Sequence, residues 1–371
     1  MVIVLFFYIL IAILNYFSII HLLLLDQIKE KTNMKKINCL ITGISGMVGS
    51  HLLDFLLKNT NWNIYGLVRW SSKLDNIEHH LDKINKGQRI FLEYGDLTDQ
   101  VSIRKVINSI LPQYVFHLAA ESFPKMSFDA PLKFYETNVK GTQILLEEIK
   151  DCKKIDPIVH ICSSSEVFGK VKKKDLPINE NCNFHPASPY AISKVGTDLI
   201  GRYFYEAYGV KTIITRMFTH TGPRRGDFFA ESTFAKQIAM IENNIIPPKL
   251  KVGNLNSLRT IADVRDAVKA YHLLVTKNPI PGEVYNIGGN YSCKVGDILK
   301  HLISLSNYKK EIKIIEDPKR LRKIDADLQV PDVKKFRKHT GWKPIYKFED
   351  TMLDLLNYWR NQIKNKKFLD R

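Results

Sequence analysis

From residue 37 onward the chain alternates short, nearly continuous apolar runs with longer stretches in which apolar residues recur every three or four positions. The runs are INCLITG (37–43), NIYGLVR (63–69), RIFLEYGD (89–96), YVFHLAA (114–120), PIVHICSS (157–164) and KTIITRMF (211–218). A run that is apolar throughout predicts a strand buried on both faces. The stretches between, such as HLLDFLLK (51–58) and GTQILLEEIK (141–150), carry the helical period. Strands of this kind alternating with helices predict an α/β domain over 34–220, a doubly wound parallel sheet covered on both sides. After about residue 220 the alternation weakens, Pro and Gly become more frequent, and VYNIGG (284–289) and IKIIE (312–316) read as later short strands. Residues 221–364 are therefore expected to form a smaller, mixed part, interleaved with the first, that completes a ligand cleft.

The first 25 residues break the pattern, because they contain no charged side chain. As a helix they would extend roughly 37 Å, enough to cross a bilayer. Lys29, Lys31, Lys35 and Lys36 follow, which would orient the remainder toward the cytoplasm. Met34 opens MKKINCLITG, a natural start for a protein whose first strand begins at once, so the upstream segment is either an anchor or a start-site artefact. Both readings put the globular part in the cytoplasm.

Composition narrows the partners. With 371 residues and 45% hydrophobic content the chain can bury a large core. The formal net charge of +17 suits anionic partners. The basic residues are dispersed, the longest cluster being KVKKKD (170–175), and no nucleic-acid motif is present; anionic small molecules are the expected ligands. The five cysteines are scattered without a CxxC pair, which argues against a zinc site or disulfide framework and for a reducing compartment. No metal is expected.

Three features carry candidate chemistry. Gly43, Gly46 and Gly49 form GxxGxxG where the first strand turns into a helix, a turn that admits a pyrophosphate to the helix N-terminus. Arg69 ends the second strand where an acid would suit the ribose of NAD; a cation there suits a 2′-phosphate and so NADP. Asp96, at the end of the third strand, is placed either to meet the adenine or to cap the next helix. Tyr190 and Lys194, in YAISK, share a helix face. A lysine beside a phenol lowers its pKa, so the pair suits proton exchange with a hydroxyl undergoing oxidation. Finally, CSSSEVFG (162–169) delivers Glu166 to the tip of a buried strand. It is there as a turn acid or as a base.

Residues 34 to about 360 resemble the extended short-chain dehydrogenases/reductases, of Rossmann-type fold, and most closely their GDP-mannose 4,6-dehydratase group. The resemblance rests on TGISGMVG, GLVRWSS, YGDLTD, HLAAES, CSSSEVFGK, SPYAISK, THTGPRRG and VGNLNSLR, in that order. It implies that NADP is held by Gly43, Ser45, Gly46, Met47, Val48 and Gly49, by Arg69, Asp96 and Leu97, by Leu118, Ala119, Ala120 and Ser122, and by Tyr190, Lys194, His220 and Arg225. It implies contacts to a GDP-sugar from Ser122, Ser164, Thr219, Asn254, Arg259 and Arg322, the two last on the diphosphate. Ser164, Glu166, Tyr190 and Lys194 would be catalytic, with Glu166 removing the C5 proton of a 4-keto sugar. In the family the doubled arginine of THTGPRRG lies on a loop that can reach a neighbouring subunit's cofactor, and a homodimer or homotetramer is expected.

Several positions depart from the family. Ser164 stands for its threonine, Thr219 for an asparagine, Thr260-Ile261 for Asp-Trp, and FPKM (123–126) for a smaller, His-containing run. These line the sugar side, so the sugar is GDP-mannose or a close relative such as a GDP-manno-heptose. A 4-keto-sugar reductase or epimerase of the same fold is the rival enzyme. A membrane-tethered NADP-sensing protein without turnover is the reading from another class, although such proteins typically lose the tyrosine or lysine present here.

Overall fold

In the computed structural model, residues 36–368 are described; the apolar segment 1–25 and the choice between Met1 and Met34 lie outside the described residues. The six predicted strands form as β1 (Asn38–Thr42), β2 (Asn63–Val68), β3 (Ile90–Tyr94), β4 (Tyr114–His117), β5 (Ile158–Cys162) and β6 (Thr212–Met217). They are followed by β7 (His220–Thr221), β8 (Lys249–Val252), β9 (Leu258–Asp263), β10 (Val284–Ile287), β11 (Tyr291–Lys294), β12 (Lys313–Glu316) and β13 (Leu328–Gln329). The helices of ten residues or more are α1 (Met47–Asn59), α2 (Gln100–Ile110), α3 (Gly141–Asp151), α4 (Pro189–Tyr208), α5 (Ala230–Glu242), α6 (Val264–Thr276), α7 (Val295–Ser304) and α8 (Phe348–Lys364).

The central sheet has seven strands in the order β10-β6-β5-β4-β1-β2-β3, and every adjacent pair is parallel. Helices α1 and α6 pack together, and α2, α3 and α4 form a second group. Leu40, Val115, Ile161 and Ile214 of the sheet bury against Ile103 and Val106 of α2 and Leu145 of α3. VYNI joins the main sheet as β10 beside β6, because all four of its side chains are buried, as in a strand covered on both faces. Chain segments from both predicted parts thus build one sheet, and from Asn38 onward the chain forms one compact unit.

The smaller part has its own apolar core. Phe234 and Ile238 of α5, Leu250 and Val252 of β8, Ile298 and Leu302 of α7, and Leu355 and Trp359 of α8 pack together. Above it, β9 pairs with β7, β11 and β13. The order of the main sheet reverses between β1 and β4, which opens a crevice at their C-terminal ends. Among the described residues no helix is long and apolar enough to cross a membrane.

Candidate active site

The floor of the crevice is the β1–α1 turn. Gly43 has φ +76°, and a Cβ there would stand 2.9 Å from the backbone of Ala119. A Cβ on Gly49 would lie 2.2 Å from the Gly43 carbonyl oxygen. Only glycine at both positions lets the turn press against the β4 loop while α1 starts immediately behind it. Gly46 caps α1 without a side-chain hydrogen bond, so the N–H groups of the first turn are available to an anion. Thr42 Oγ1 accepts from the Leu118 and Ala119 N–H groups at 3.1 Å, and it also meets His117 Nδ1 at 2.9 Å. Burial, with the Lys194 charge second, pushes the His117 pKa down to about 3, so the ring stays neutral and fixes the β1–β4 junction. This glycine cradle and bare helix start fit the pyrophosphate of a dinucleotide.

Above the floor lies a cleft of ≈ 1070 Å³. It gathers Gly43, Gly46, Met47, Val48, Gly49, Leu118, Ala119, Ala120 and Ser122 with Ser164, Glu166, Tyr190, Lys194, Thr219, His220, Arg225, Asn254, Arg259 and Arg322. Four expected cofactor residues lie off its lining. Ser45 is in the turn, where its carbonyl accepts from Asn76 Nδ2 at 2.9 Å. Leu97 turns its side chain, 4% exposed, into the sheet core, because the segment after β3 tucks in against Gly141. Arg69 is exposed at the end of β2, next to Trp70, which stacks on Tyr94 at 4.0 Å. Asp96 does not cap α2; Asp99 does. Asp96 Oδ1 accepts from Thr98 N and Oγ1 at 2.9 and 2.8 Å. Burial pushes its pKa up, but these bonds and the Arg69 charge outweigh it and hold the carboxyl below its ordinary value.

Helix α4 begins with Ser188 accepting from Ala191 N at 3.0 Å and with Pro189 in its first turn, and it ends at Gly209, φ +71°, a Pro start and Gly stop. Tyr190 and Lys194 therefore face β5. The Lys194 ammonium donates to the Cys162 carbonyl at 2.6 Å, and burial lowers its pKa. The expected lowering of the phenol by this lysine does not appear in this arrangement. Burial drives the Tyr190 pKa well up, and a hydrogen bond with Ser164 and the Arg225 charge oppose it. The Lys194 ammonium is directed at the strand-tip carbonyl, and among the charged neighbours it is Arg225 that favours the anionic phenol.

Ser164 caps a single 3-10 turn, Ser165–Val167, accepting from Glu166 N at 3.1 Å. That turn projects Glu166 into the cleft. Its Oε1 lies 3.5 Å from Arg322 Nη1; its Oε2 is buried and has no hydrogen-bond partner. Arg322 Nη1 also lies 3.3 Å from Asp325. Arg259 reaches the same carboxylate at 3.4 Å and donates to the Ala326 carbonyl at 2.6 Å. Asn254 turns its amide to Ser257, Asp325 and Asp327. Asp325 is held below its ordinary pKa, because Arg322 and Arg259, with the Asn254 and Ser257 bonds, outweigh its burial.

The doubled arginine is engaged within its own chain. Arg224 pairs with Asp54 at 2.8 Å, whose other oxygen meets His79 and His80 at 3.0 and 2.6 Å. Arg225 pairs with Glu231 at 3.3 Å and lies 3.4 Å over the Phe229 ring. His220 meets the Phe218 carbonyl at 3.1 Å; burial, then Arg225, lowers its pKa to about 4. Elsewhere in the cleft, Phe123 contacts Phe228 and Phe229 at 5.1 and 6.1 Å between ring centres. Ile261 lines the cleft, whereas Thr260 turns its hydroxyl to Ser292 at 2.7 Å.

Two residues escaped the sequence reading. Asn138 is 1% exposed in a π-helical turn, Tyr135–Lys140, a feature frequent at functional sites. It exchanges hydrogen bonds with the Glu121 backbone, 2.8 and 2.9 Å, and donates to Ser193 Oγ at 2.8 Å. It thus ties the β4 loop to α4. An amide on the buried side of a helix was its signal. Asp325 is the other; an acid three residues after Arg322 was its signal.

The sequence profile of the GDP-mannose 4,6 dehydratase family matches residues 40–355. The chain is 31% identical over 337 residues to the GDP-mannose 4,6 dehydratase of Drosophila melanogaster, covering 85% of this chain and 84% of that one. It is 27% identical over 327 residues to the GDP-6-deoxy-D-mannose reductase of Pseudomonas aeruginosa, covering 88% and 98%. Among solved structures it is similar to RMD from Pseudomonas aeruginosa complexed with NADPH, with TM-score 0.74, 25% identity, and coverage of 88% of this chain and 100% of that one. The chain belongs to the GDP-mannose 4,6-dehydratase family, the nucleotide-sugar 4,6-dehydratase branch of the extended short-chain dehydrogenases/reductases.

Proposed function

We propose that the protein is an NADP-dependent dehydratase that converts GDP-mannose, or a close relative such as a GDP-manno-heptose, to the 4-keto-6-deoxy sugar. NADP, when bound, takes hydride from C4 of the sugar and gives it back at C6. The residues of the chain manage the protons. Ser164, hydrogen-bonded to the phenol, orients the 4-hydroxyl, and Tyr190 holds the proton that leaves it, with Arg225 favouring the anionic phenol against burial. The 4-keto group acidifies C5–H. Glu166 Oε2 takes that proton and passes it to the departing 6-hydroxyl, which leaves as water; C5 is later reprotonated from solvent. Arg259 and Arg322 suit the diphosphate because a guanidinium meets phosphate in a fork.

One observation carries the reading: a carboxylate oxygen shielded from solvent, without a donor, in the cleft that also holds Tyr190. A simple reductase has no use for such a base. Incubation with GDP-mannose and catalytic NADP tests it. A dehydratase makes 4-keto-6-deoxy product without net change in NADPH, whereas a reductase consumes NADPH in proportion to product.

Exposed Leu132, Ile192, Leu199 and Tyr203, on and beside α4, support a homodimer or homotetramer, since contiguous exposed apolar surface favours a protein partner. The five cysteines are free, which supports a reducing, cytoplasmic setting.

A further inference from the structure

On the reading that the cleft takes a nucleoside diphosphate sugar, we infer that Arg322 is a shared positioning residue: Glu166 and the substrate's diphosphate compete for its guanidinium, so diphosphate binding releases the base. Arg322 has two carboxylate neighbours in the protein, Glu166 at 3.5 Å and Asp325 at 3.3 Å, both reached through Nη1. Both contacts are longer than the roughly 2.7–2.9 Å of a tight charge-assisted bond. Arg259, by contrast, is anchored by a 2.6 Å bond to the Ala326 carbonyl. Of this pair, Arg259 is therefore fixed, and Arg322 is loosely held between alternatives.

The geometry gives the movement a direction. A phosphate offers Arg322 a bidentate acceptor, which neither carboxylate supplies here. Asp325 keeps Arg259 at 3.4 Å, with the Asn254 and Ser257 bonds at 3.3 and 3.2 Å, so its charge remains matched when Arg322 turns away. Glu166 has no such reserve. Its Oε2 has no hydrogen-bond partner, and once Oε1 loses Arg322 the whole carboxylate is available to a C–H proton. A sugar lacking the diphosphate would leave Glu166 tied. The chain therefore makes the base ready only when the anionic end of the substrate is in place, a coupling of two subsites through one side chain.

Competition leaves a thermodynamic mark that needs no turnover. The dissociation constant of GDP is measured calorimetrically on the full chain saturated with NADP, for the wild type, Glu166→Gln, Arg322→Gln and the double variant. Glu166→Gln is expected to bind GDP about fivefold more tightly, the size of one loose ion pair. In the Arg322→Gln background the same change should alter GDP affinity by less than about twofold, because the contested guanidinium is gone. If the tightening came from simple charge repulsion between Glu166 and the diphosphate, it would persist in that background, and the inference would fall. It also falls if Glu166→Gln binds GDP no better than the wild type. Arg322→Lys guards against misfolding of the Gln variant: a lysine keeps the contested charge, so in that background Glu166→Gln should again tighten GDP binding, and no tightening there would count against the competition. A wild type that binds neither GDP nor dTDP overturns the nucleotide-sugar reading and the sharing with it, a result distinct from binding without coupling.

Discussion

Replacing Asn138 with Leu removes the amide while keeping its branched heavy-atom outline, so no cavity opens and the effect reports chiefly the lost hydrogen bonds. The native amide makes three: it accepts from Glu121 N at 2.8 Å and donates to the Glu121 carbonyl and to Ser193 Oγ at 2.9 and 2.8 Å. Each contributes about 1 kcal/mol net, and a buried partner left unsatisfied costs about 1–3 kcal/mol. The Glu121 groups are part-buried, so water recovers some of that loss; the Ser193 hydroxyl is fully buried. The sum is a destabilisation of roughly 3 kcal/mol. Because Glu121 belongs to the β4 loop that carries Ala119, Ala120 and Ser122 into the cleft, cofactor affinity should fall as well, by about tenfold. Urea denaturation followed by circular dichroism reads the first quantity, with the slope unchanged if the denatured state is unaltered; fluorescence titration with NADP reads the second. A loss below about 1 kcal/mol with unaltered NADP affinity would refute the claim that Asn138 holds the loop to α4.

Arg69→Ala should raise the KM for NADP about tenfold or more and leave that for NAD within about twofold, since only the former has a 2′-phosphate; equal changes would remove the basis for preferring NADP. Burial holds His51 and His220 at about 4 and His117 and His160 at about 3, below the unfolded value of about 6.5. The unfolded chain therefore binds more protons over that interval. Stability is full above about pH 6.5 and falls as pH drops toward 3, by up to about 1.4 kcal/mol per pH unit for each histidine. Urea midpoints across that range check the sign, and His160→Gln should shallow the slope by about one such increment. Leu132→Glu with Leu199→Glu, both changing exposed side chains, should shift the protein to monomer in analytical ultracentrifugation without unfolding it; an unchanged sedimentation coefficient would move the interface elsewhere.

The sheet was legible because its strands are apolar on both faces and its turns carry fixed chemistry: Gly43 and Gly49 meet backbone that no Cβ can approach, and Ser188-Pro189 opens α4 where Tyr190 and Lys194 need it. The sheet that VYNI enters was not legible, because a four-residue apolar run does not say which one it joins; burial by distant chain decides that. The direction of the Leu97 side chain was hidden for a similar reason, since the residue after Asp96 can turn either way, and Gly141 leaves it room in the core. Spacing put Lys194 on the face of Tyr190 but could not reveal the Cys162 carbonyl to which it donates. The local signals of Asn138 and Asp325 did not reveal their roles, because those depend on partners far along the chain, Ser193 and Arg259. The first loop of the sugar side, with Phe123 set against Phe228 and Phe229, likewise takes its shape from contacts about a hundred residues away.

The claim most exposed to direct test is that Glu166 removes the C5 proton. Turnover of GDP-mannose in D2O, followed by NMR of the sugar, should give a 4-keto-6-deoxy product carrying deuterium at C5 with the wild type, while Glu166→Gln should form that product at least about a hundredfold more slowly, the usual scale for loss of a general base. Product formed by Glu166→Gln at a rate near that of the wild type, with C5 still deuterated, would assign the base to another group.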